Sequence, residues 1–278
     1  MLKHNKKVGE APLTQERAAY LEARRKRTWA IRLCQILILV CLITLWEILA
    51  RVGVIDSFIM SQPSRVLKTL GNLQNNGLLM HVGVTCFETL AGFLLGVVLG
   101  NLIALTLWWS DFLSKVAEPY LVVLNALPKV ALGPVIIIWA GAGMQAIIVM
   151  ALAISLIVTV LEMLGGFLST DPELIKMART FRATRRQTFT KIIFPSNLHT
   201  LFNSLKINIG LSLVGVIAGE FLVSRAGLGY LIVYGGQVFQ MDLVMTSVII
   251  LALVAALLYR GVTLVERLVL DAISHTKV

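Results

Sequence analysis

The sequence predicts an all-α integral membrane protein of about six transmembrane helices. Three observations carry that expectation. Apolar residues fill 57% of the 278 positions and charged residues only 14%, where a soluble domain carries about 25% charged residues. The apolar residues gather into runs long enough for a bilayer core, which needs about 20 helical residues per crossing. The basic residues lie mainly outside those runs. With 21 Gly, 7 Pro and 3 Cys, collagen-like and disulfide-scaffold classes are excluded as well.

Lys plus Arg number 25 and Asp plus Glu 15, a net charge of +10. Orientation in a membrane explains that excess more economically than nucleic acid, because neither basic cluster carries interleaved stacking aromatics. The segment 1–32 holds nine basic and three acidic residues. Residues 1–30 read as a basic cytoplasmic tail, in which 14–29 has the pattern of an interfacial helix with Tyr20 and Trp29 near the bilayer.

The first span, 31–50, follows Arg24, Arg25, Lys26 and Arg27 and has no A-x-A site after Ala50, so it reads as an uncleaved anchor. Next comes Ser61-Gln-Pro-Ser64, then Val66, Leu67, Leu70 and Leu73 at helical spacing on a short surface helix. The second span, 84–108, contains Gly92, Gly96 and Gly100, whose spacing lines one face and lets another backbone approach. A short linker near Asp111–Lys115 leads to the third span, 118–140. There Pro128 and Pro134 cannot both sit in a regular helix, and Lys129 lies between them. A broken span is tolerated where protein or a water-filled cavity satisfies the freed backbone groups. The segment is a pathway-lining or hinge element, or a kinked helix with no moving role.

The fourth span covers 144–166, the fifth 200–222 and the sixth 243–265, leaving 268–278 as a second cytoplasmic tail. Gly215 and Gly219 repeat the close-packing spacing in span five, which also carries Glu220. Of the charges in or beside spans (Glu47, Glu88, Lys129, Glu162, Lys206 and Glu220), Glu47, Glu162 and Glu220 read as interfacial because each lies near a span end. Six spans put both termini on one side. The loops 51–83 and 223–242 are poorer in basic residues than 1–32 and 168–198, which places the termini in the cytoplasm. Cys34, Cys41 and Cys86 read as small apolar side chains, and four scattered histidines give no metal or catalytic cluster.

The stretch 171–195 is the most informative. Asp171 suits an N-cap, Pro172 the first helical position and Glu173 the positive end of the helix dipole. Leu174, Met177, Ala178 and Phe181 then follow helical spacing, with Lys176, Arg179 and Thr180 away from that face. Thr184 and Gln187 form a capping-box pattern opening a second short helix, which Pro195 ends. Such a helix–turn–helix inserts as a knob into a groove on another protein, or rests on anionic lipid.

This segment resembles the cytoplasmic signature of binding-protein-dependent ABC transporter permeases. In that signature Glu-Ala-Ala, three residues, Gly, nine residues, Ile, one residue and Leu-Pro follow in order. Lys176-Met177-Ala178 stands at the Glu-Ala-Ala place, Arg182 at the Gly place, Ile192 at the Ile place and Phe194-Pro195 at the Leu-Pro place. The segments 126–134 with Trp139-Ala-Gly-Ala-Gly143, and 219–230, are similar to the nitrate/sulfonate/taurine branch, across roughly 60–267.

The resemblance implies the type I ABC importer transmembrane fold in a bacterial cytoplasmic membrane, with no enzymatic activity in this chain. It implies a second permease copy, two ATPase subunits and an external solute-binding protein. It implies coupling to the ATPases through 171–194, with Ala183 and Thr184 between the two helices. The sequence has no phosphate-binding Gly-x-x-x-x-Gly-Lys motif, so ATP and Mg are expected on the partner ATPase and no cofactor on this chain. A glycine at position 182 would turn the chain through positive φ; Arg182 costs roughly 1 kcal/mol if that backbone is kept. The cargo fits a small organic anion or a vitamin precursor. A proton- or ion-coupled secondary carrier is the rival reading; its expected mark, an inverted repeat with mid-span acids, is not seen.

Overall fold

A computed structural model describes residues 15–75 and 77–275. Those parts of the two tails in 1–14 and 276–278 lie outside the described residues. The chain divides into two compact units, 1–64 and 65–278.

In the first unit, α1 (Gln15–Arg51) is one unbroken helix. The separate interfacial helix expected over 14–29 is therefore corrected to an extension of the first span. No Gly or Pro stands between Gln15 and Arg51, so nothing breaks the run. Near its end Glu47 accepts from Arg51 Nε at 2.7 Å and from the Ser64 backbone N–H at 3.0 Å. A short helix, α2 (Ser57–Met60), is capped by Asp56; α3 (Pro63–Asn75) begins at the end of this unit and belongs mostly to the second.

In the second unit, α4 (Leu78–Trp108), α7 (Met144–Leu168), α11 (Leu198–Val223) and α13 (Met241–His275) are each long and apolar enough to cross a bilayer. With α1 that makes five such helices among the described residues, or six with a bent pair. The pair is α5 (Asp111–Ala126) and a 3-10 turn at Lys129–Leu132 that runs into α6 (Gly133–Ala140); its two arms meet at 84°. The break falls at Pro128, and Pro134 sits in the first turn of α6, where its missing N–H costs nothing. The expected linker at Asp111–Lys115 is instead the start of α5, because Ser110 caps it by accepting from the Leu113 N–H. α13 continues as helix through 268–275.

The bundle closes on α7. A Cβ added at Gly92 would lie 2.5 Å from Ala151 Cβ, and one at Gly100 2.6 Å from Thr159 Cβ; Gly96 faces Ser155. The three glycines of α4 thus meet three small residues of α7 at the same four-residue spacing. On the other side of α7, a Cβ at Gly215 would lie 2.6 Å from Ala151 Cα and one at Gly219 3.1 Å from Ile147 Cα. Ala151 is fully buried between α4 and α11. Lipid tails are as apolar as leucine, so this close van der Waals packing, rather than water exclusion, holds the three helices together.

Candidate functional site

Two features stand at opposite ends of the spans: a helical hairpin between α7 and α11, and a buried polar cluster at the far end of α11.

The hairpin begins with Asp171, whose Oδ1 accepts from the Glu173 N–H at 2.8 Å and starts α8 (Pro172–Thr180). It ends in a Schellman turn: Ala183 N donates to Ala178 O at 3.0 Å and Arg182 N to Arg179 O at 2.9 Å. Arg182 occupies the left-handed position, with φ 54°. The turn is thus the one a glycine would make, and Arg182 carries its steric cost. Replacing Arg182 by glycine is expected to stabilise the folded chain by up to about 1 kcal/mol. A rise of about 2–4 °C in the thermal midpoint of the purified protein is the check.

The capping box of α9 (Arg185–Thr188) is complete: Gln187 N donates to Thr184 Oγ1 at 3.3 Å and Thr184 N to Gln187 Oε1 at 2.8 Å. The helix does not end at Pro195. It continues through a π-helical turn, Phe189–Ile193, into α10 (Phe194–Ser196). Phe194 N reaches back five residues to Phe189 O, and Pro195, with no N–H to place, falls in the first turn of α10. The break comes at Asn197, whose Nδ2 donates to Thr170 Oγ1 at 2.8 Å and to Ile193 O at 2.9 Å. That side chain ties the end of α7 to the start of α11.

The inward face of the hairpin also differs from the expected one. Ala178 is buried and Ile175 packs on the cluster of Ala104, Met163, Leu164, Phe167 and Ile193. Phe189 lies between Trp108, 5.0 Å away, and Phe167, 5.3 Å away, and the Arg185 guanidinium sits 5.4 Å over Trp108. By contrast Leu174, Met177 and Phe181 point outward, Phe181 78% exposed. Lys176, Arg179, Thr180 and Arg182 are exposed around them. The hairpin is therefore held by α4, α5 and α7 and presents an apolar knob ringed by cations.

At the opposite end, Glu220 is 2% exposed. Its placement at a water-facing boundary is corrected: the loop after α11 folds back over it. Glu220 Oε1 accepts from Thr85 Oγ1 at 2.6 Å and Oε2 from the Gly229 N–H at 2.5 Å. Thr85 Oγ1 in turn accepts from the Leu228 N–H at 2.8 Å, and His81 Nδ1 from the Gly227 N–H at 3.0 Å. These bonds satisfy the first N–H groups of α12 (Leu228–Gln237), a helix within the 223–242 loop that the sequence predicts. A Cβ at Gly227 or Gly229 would strike the Glu220 carboxylate, so this turn requires glycine at both positions. Glu88, 1% exposed, is an electrostatic neighbour of Glu220. Thr85, Thr89 and Glu88 continue the stripe of Gly92, Gly96 and Gly100 one turn at a time, and that spacing is the signal that could have pointed to them.

The proline-bounded segment is placed between these ends. Lys129 Nζ donates to Asn125 O at 2.9 Å, so it caps the carbonyl end of α5. Val130, Ala131 and Pro134 line an apolar groove of about 820 Å³ with Leu213, Ile217 and Phe221 of α11. Pro128 and Lys129 are not among its lining residues. Gly215 and Gly219 face α7 instead.

The described residues thus form a multi-pass helical bundle with a broken third span and a helical hairpin between two spans. Residues 92–273 match the family of binding-protein-dependent transport system inner membrane components, and the chain belongs to it. A probable ABC transporter permease protein of Haemophilus influenzae is 30% identical over 82% of this chain and 94% of its own length. The putative aliphatic sulfonates transport permease protein SsuC of Bacillus subtilis is 26% identical over 94% of each chain. Among solved structures, the inward-facing MetNI methionine ABC transporter matches with TM-score 0.63 at 19% identity, over 69% of this chain and 95% of that one. A bacterial ABC transporter that imports the acidic polysaccharide alginate matches with TM-score 0.61 at 17% identity, over 89% of this chain and 98% of that one. These two likenesses show the type I importer transmembrane fold.

Proposed function

We propose that this chain is the membrane-spanning half of an ATP-driven importer for a small organic solute. The solute is delivered by an external binding protein, and ATP and Mg are held on separate ATPase subunits. The observation that carries the reading is the hairpin: firmly seated on its inner side, yet exposing Leu174, Met177 and Phe181 among cations, a surface suited to a groove in a soluble partner. The termini and the hairpin face the cytoplasm on this reading, as the charge distribution favours. Ala183 and Pro195 shape the handle, whereas Lys176, Arg179 and Arg182 meet acidic groups on the ATPase.

Two copies of the chain form the pathway. Support comes from the exposed apolar side chains along α5 and α6, such as Val123, Leu127, Ile138 and Trp139, which one copy leaves uncovered. Alternating access then consists of ATPase closure pulling on the hairpins, with α7 and α11 relaying that motion toward Pro128 and Pro134. The relatives named for aliphatic sulfonates, taurine and formylaminopyrimidine support a small anionic or heteroaromatic cargo. Uptake into proteoliposomes holding the permease, the ATPase and the binding protein tests the reading. Uptake should require internal ATP and persist when proton and sodium gradients are collapsed. Loss of uptake with the gradients, ATP still present, would establish the secondary-carrier alternative instead.

A further inference from the structure

The hairpin stands over a cavity of about 440 Å³ that its seat on α4, α5 and α7 leaves unfilled. Trp108 at the end of α4, Phe167 at the end of α7, Ile175 of α8 and Ile193 of the π-helical turn give it an apolar lining. Arg179 of α8 and Arg185 of α9 bring two guanidinium groups to it, and Asp111 at the start of α5 brings one carboxylate. Its size falls in the range of small-molecule sites, about 300–1,000 Å³.

Those two cations are not consumed by the fold. Arg185 uses one nitrogen, 3.4 Å from Trp108 O and 3.5 Å from Asp111 Oδ1, and both contacts are long. The Asp111 side chain is 85% exposed, and an ion pair so open to water holds weakly. The Arg179 side chain makes no hydrogen bond or ion pair among the described residues. An arginine carries five N–H donors, so most donors of the pair are open.

The cavity also lies at the bilayer boundary. The span of α4 ends at Trp108 and that of α7 at Leu168, and tryptophan favours that depth. Leu168 lines the cavity and is exposed; Trp109 and Phe112, each next in sequence to a lining residue, expose apolar rings as well. A cationic recess bordered by apolar surface matches an amphiphile with an anionic head, and basic pockets between spans take phospholipid head groups.

We propose that this cavity holds the phosphate of an anionic phospholipid, its oxygens accepting from Arg185 and Arg179 while its acyl chains lie along the exposed apolar side chains beside it. Guanidinium and phosphate pair through two parallel N–H···O bonds. Asp111 is the one acid lining the site, and the phosphate takes its place on Arg185. Arg179 has donors enough to serve the phosphate and an acid on the ATPase together. A lipid bound there ties both helices of the hairpin to the membrane, so the seat of the hairpin senses membrane charge.

The test needs neither ATPase nor binding protein. Purified full-length permease is incubated with dioleoyl phosphatidylglycerol or dioleoyl phosphatidylcholine, and native mass spectrometry counts the lipids retained. Arg24–Arg27 can hold lipid too, so each variant is read as its difference from wild type. Wild type should retain one phosphatidylglycerol per chain that Arg185→Gln does not, an affinity loss of at least tenfold. Arg185→Lys, which keeps the charge without the fork, should recover only part of it. Asp111→Asn, which removes the competing acid, should raise the affinity severalfold.

Equal retention of phosphatidylcholine would overturn the proposal, as would unchanged affinity in a folded Arg185→Gln protein or in Asp111→Asn. Displacement of the lipid by excess inorganic phosphate would show a site for free phosphate and overturn the lipid assignment. Should Arg185→Gln fail to fold, Arg179→Gln at its exposed position decides: a loss of phosphatidylglycerol supports the site, and unchanged affinity overturns it.

Discussion

Gly215→Leu is expected to eliminate the folded protein, whereas Gly210→Leu five residues earlier is expected to be tolerated. A side chain at 215 would meet the backbone of Ala151, its Cβ 2.6 Å from Cα and 3.0 Å from N. Backbone cannot rotate away as a side chain can. Nor can α7 retreat, because Gly92 of α4 holds Ala151 from the other side. Overpacking of a filled core costs about 1–3 kcal/mol where side chains can yield, and more where they cannot. At Gly210 nothing lies within 4 Å of the added Cβ, so the same leucine meets lipid or a second copy. The monodisperse fraction after detergent extraction, followed by fluorescent size exclusion, should collapse for the first variant and stay near wild type for the second. Equal behaviour would show that α7 is not clamped between α4 and α11.

Deleting 174–190 is expected to abolish ATP hydrolysis coupled to transport while leaving membrane insertion intact. The link between Thr170 and Asn197, which joins the ends of α7 and α11, lies outside the deleted residues. The glycine contacts that hold the bundle are remote from them. The deletion does remove Phe189 from its aromatic cluster, so some stability is lost. A finer version avoids that cost. Phe181→Asp with Met177→Asp changes two exposed side chains that lie outside the buried cluster beneath the hairpin. A buried acid in an apolar groove is strongly unfavourable, so the double variant should lower solute-stimulated ATP turnover at least tenfold, with normal extraction and thermal midpoint. Normal turnover would place the docking surface elsewhere.

Legibility in the sequence followed the range of the interactions. The Asp171 cap, the Thr184–Gln187 capping box and the break at Pro128 involve residues within a few positions of one another, and each is found where the sequence predicts it. The positive φ at Arg182 was accessible only through the family resemblance, since nothing about arginine itself asks for it. What escaped depends on distant partners. The Thr85 hydroxyl meets Glu220 across 135 positions, and this meeting turns a boundary acid into a buried one. It also makes a helix of 228–237, where the sequence reads as a glycine-rich loop. Leu174, Met177 and Phe181 misled for another reason. Helical spacing marks an apolar face, but whether that face turns inward or toward a partner depends on what lies beneath. Here Ile175 and Ala178 fill the inner contact.

The central claim is that the knob at the tip of α8 is held by a cytoplasmic ATPase, and a cross-link tests it most directly. Phe181→Cys is made in a chain whose Cys34, Cys41 and Cys86 are replaced, then treated with a short thiol cross-linker in inside-out vesicles containing the assembled transporter. A single adduct of permease and ATPase, with a yield that changes when ATP is added, is the predicted result. Absence of that adduct, with the new thiol instead labelled by an impermeant reagent from the outer side of intact cells, would contradict it.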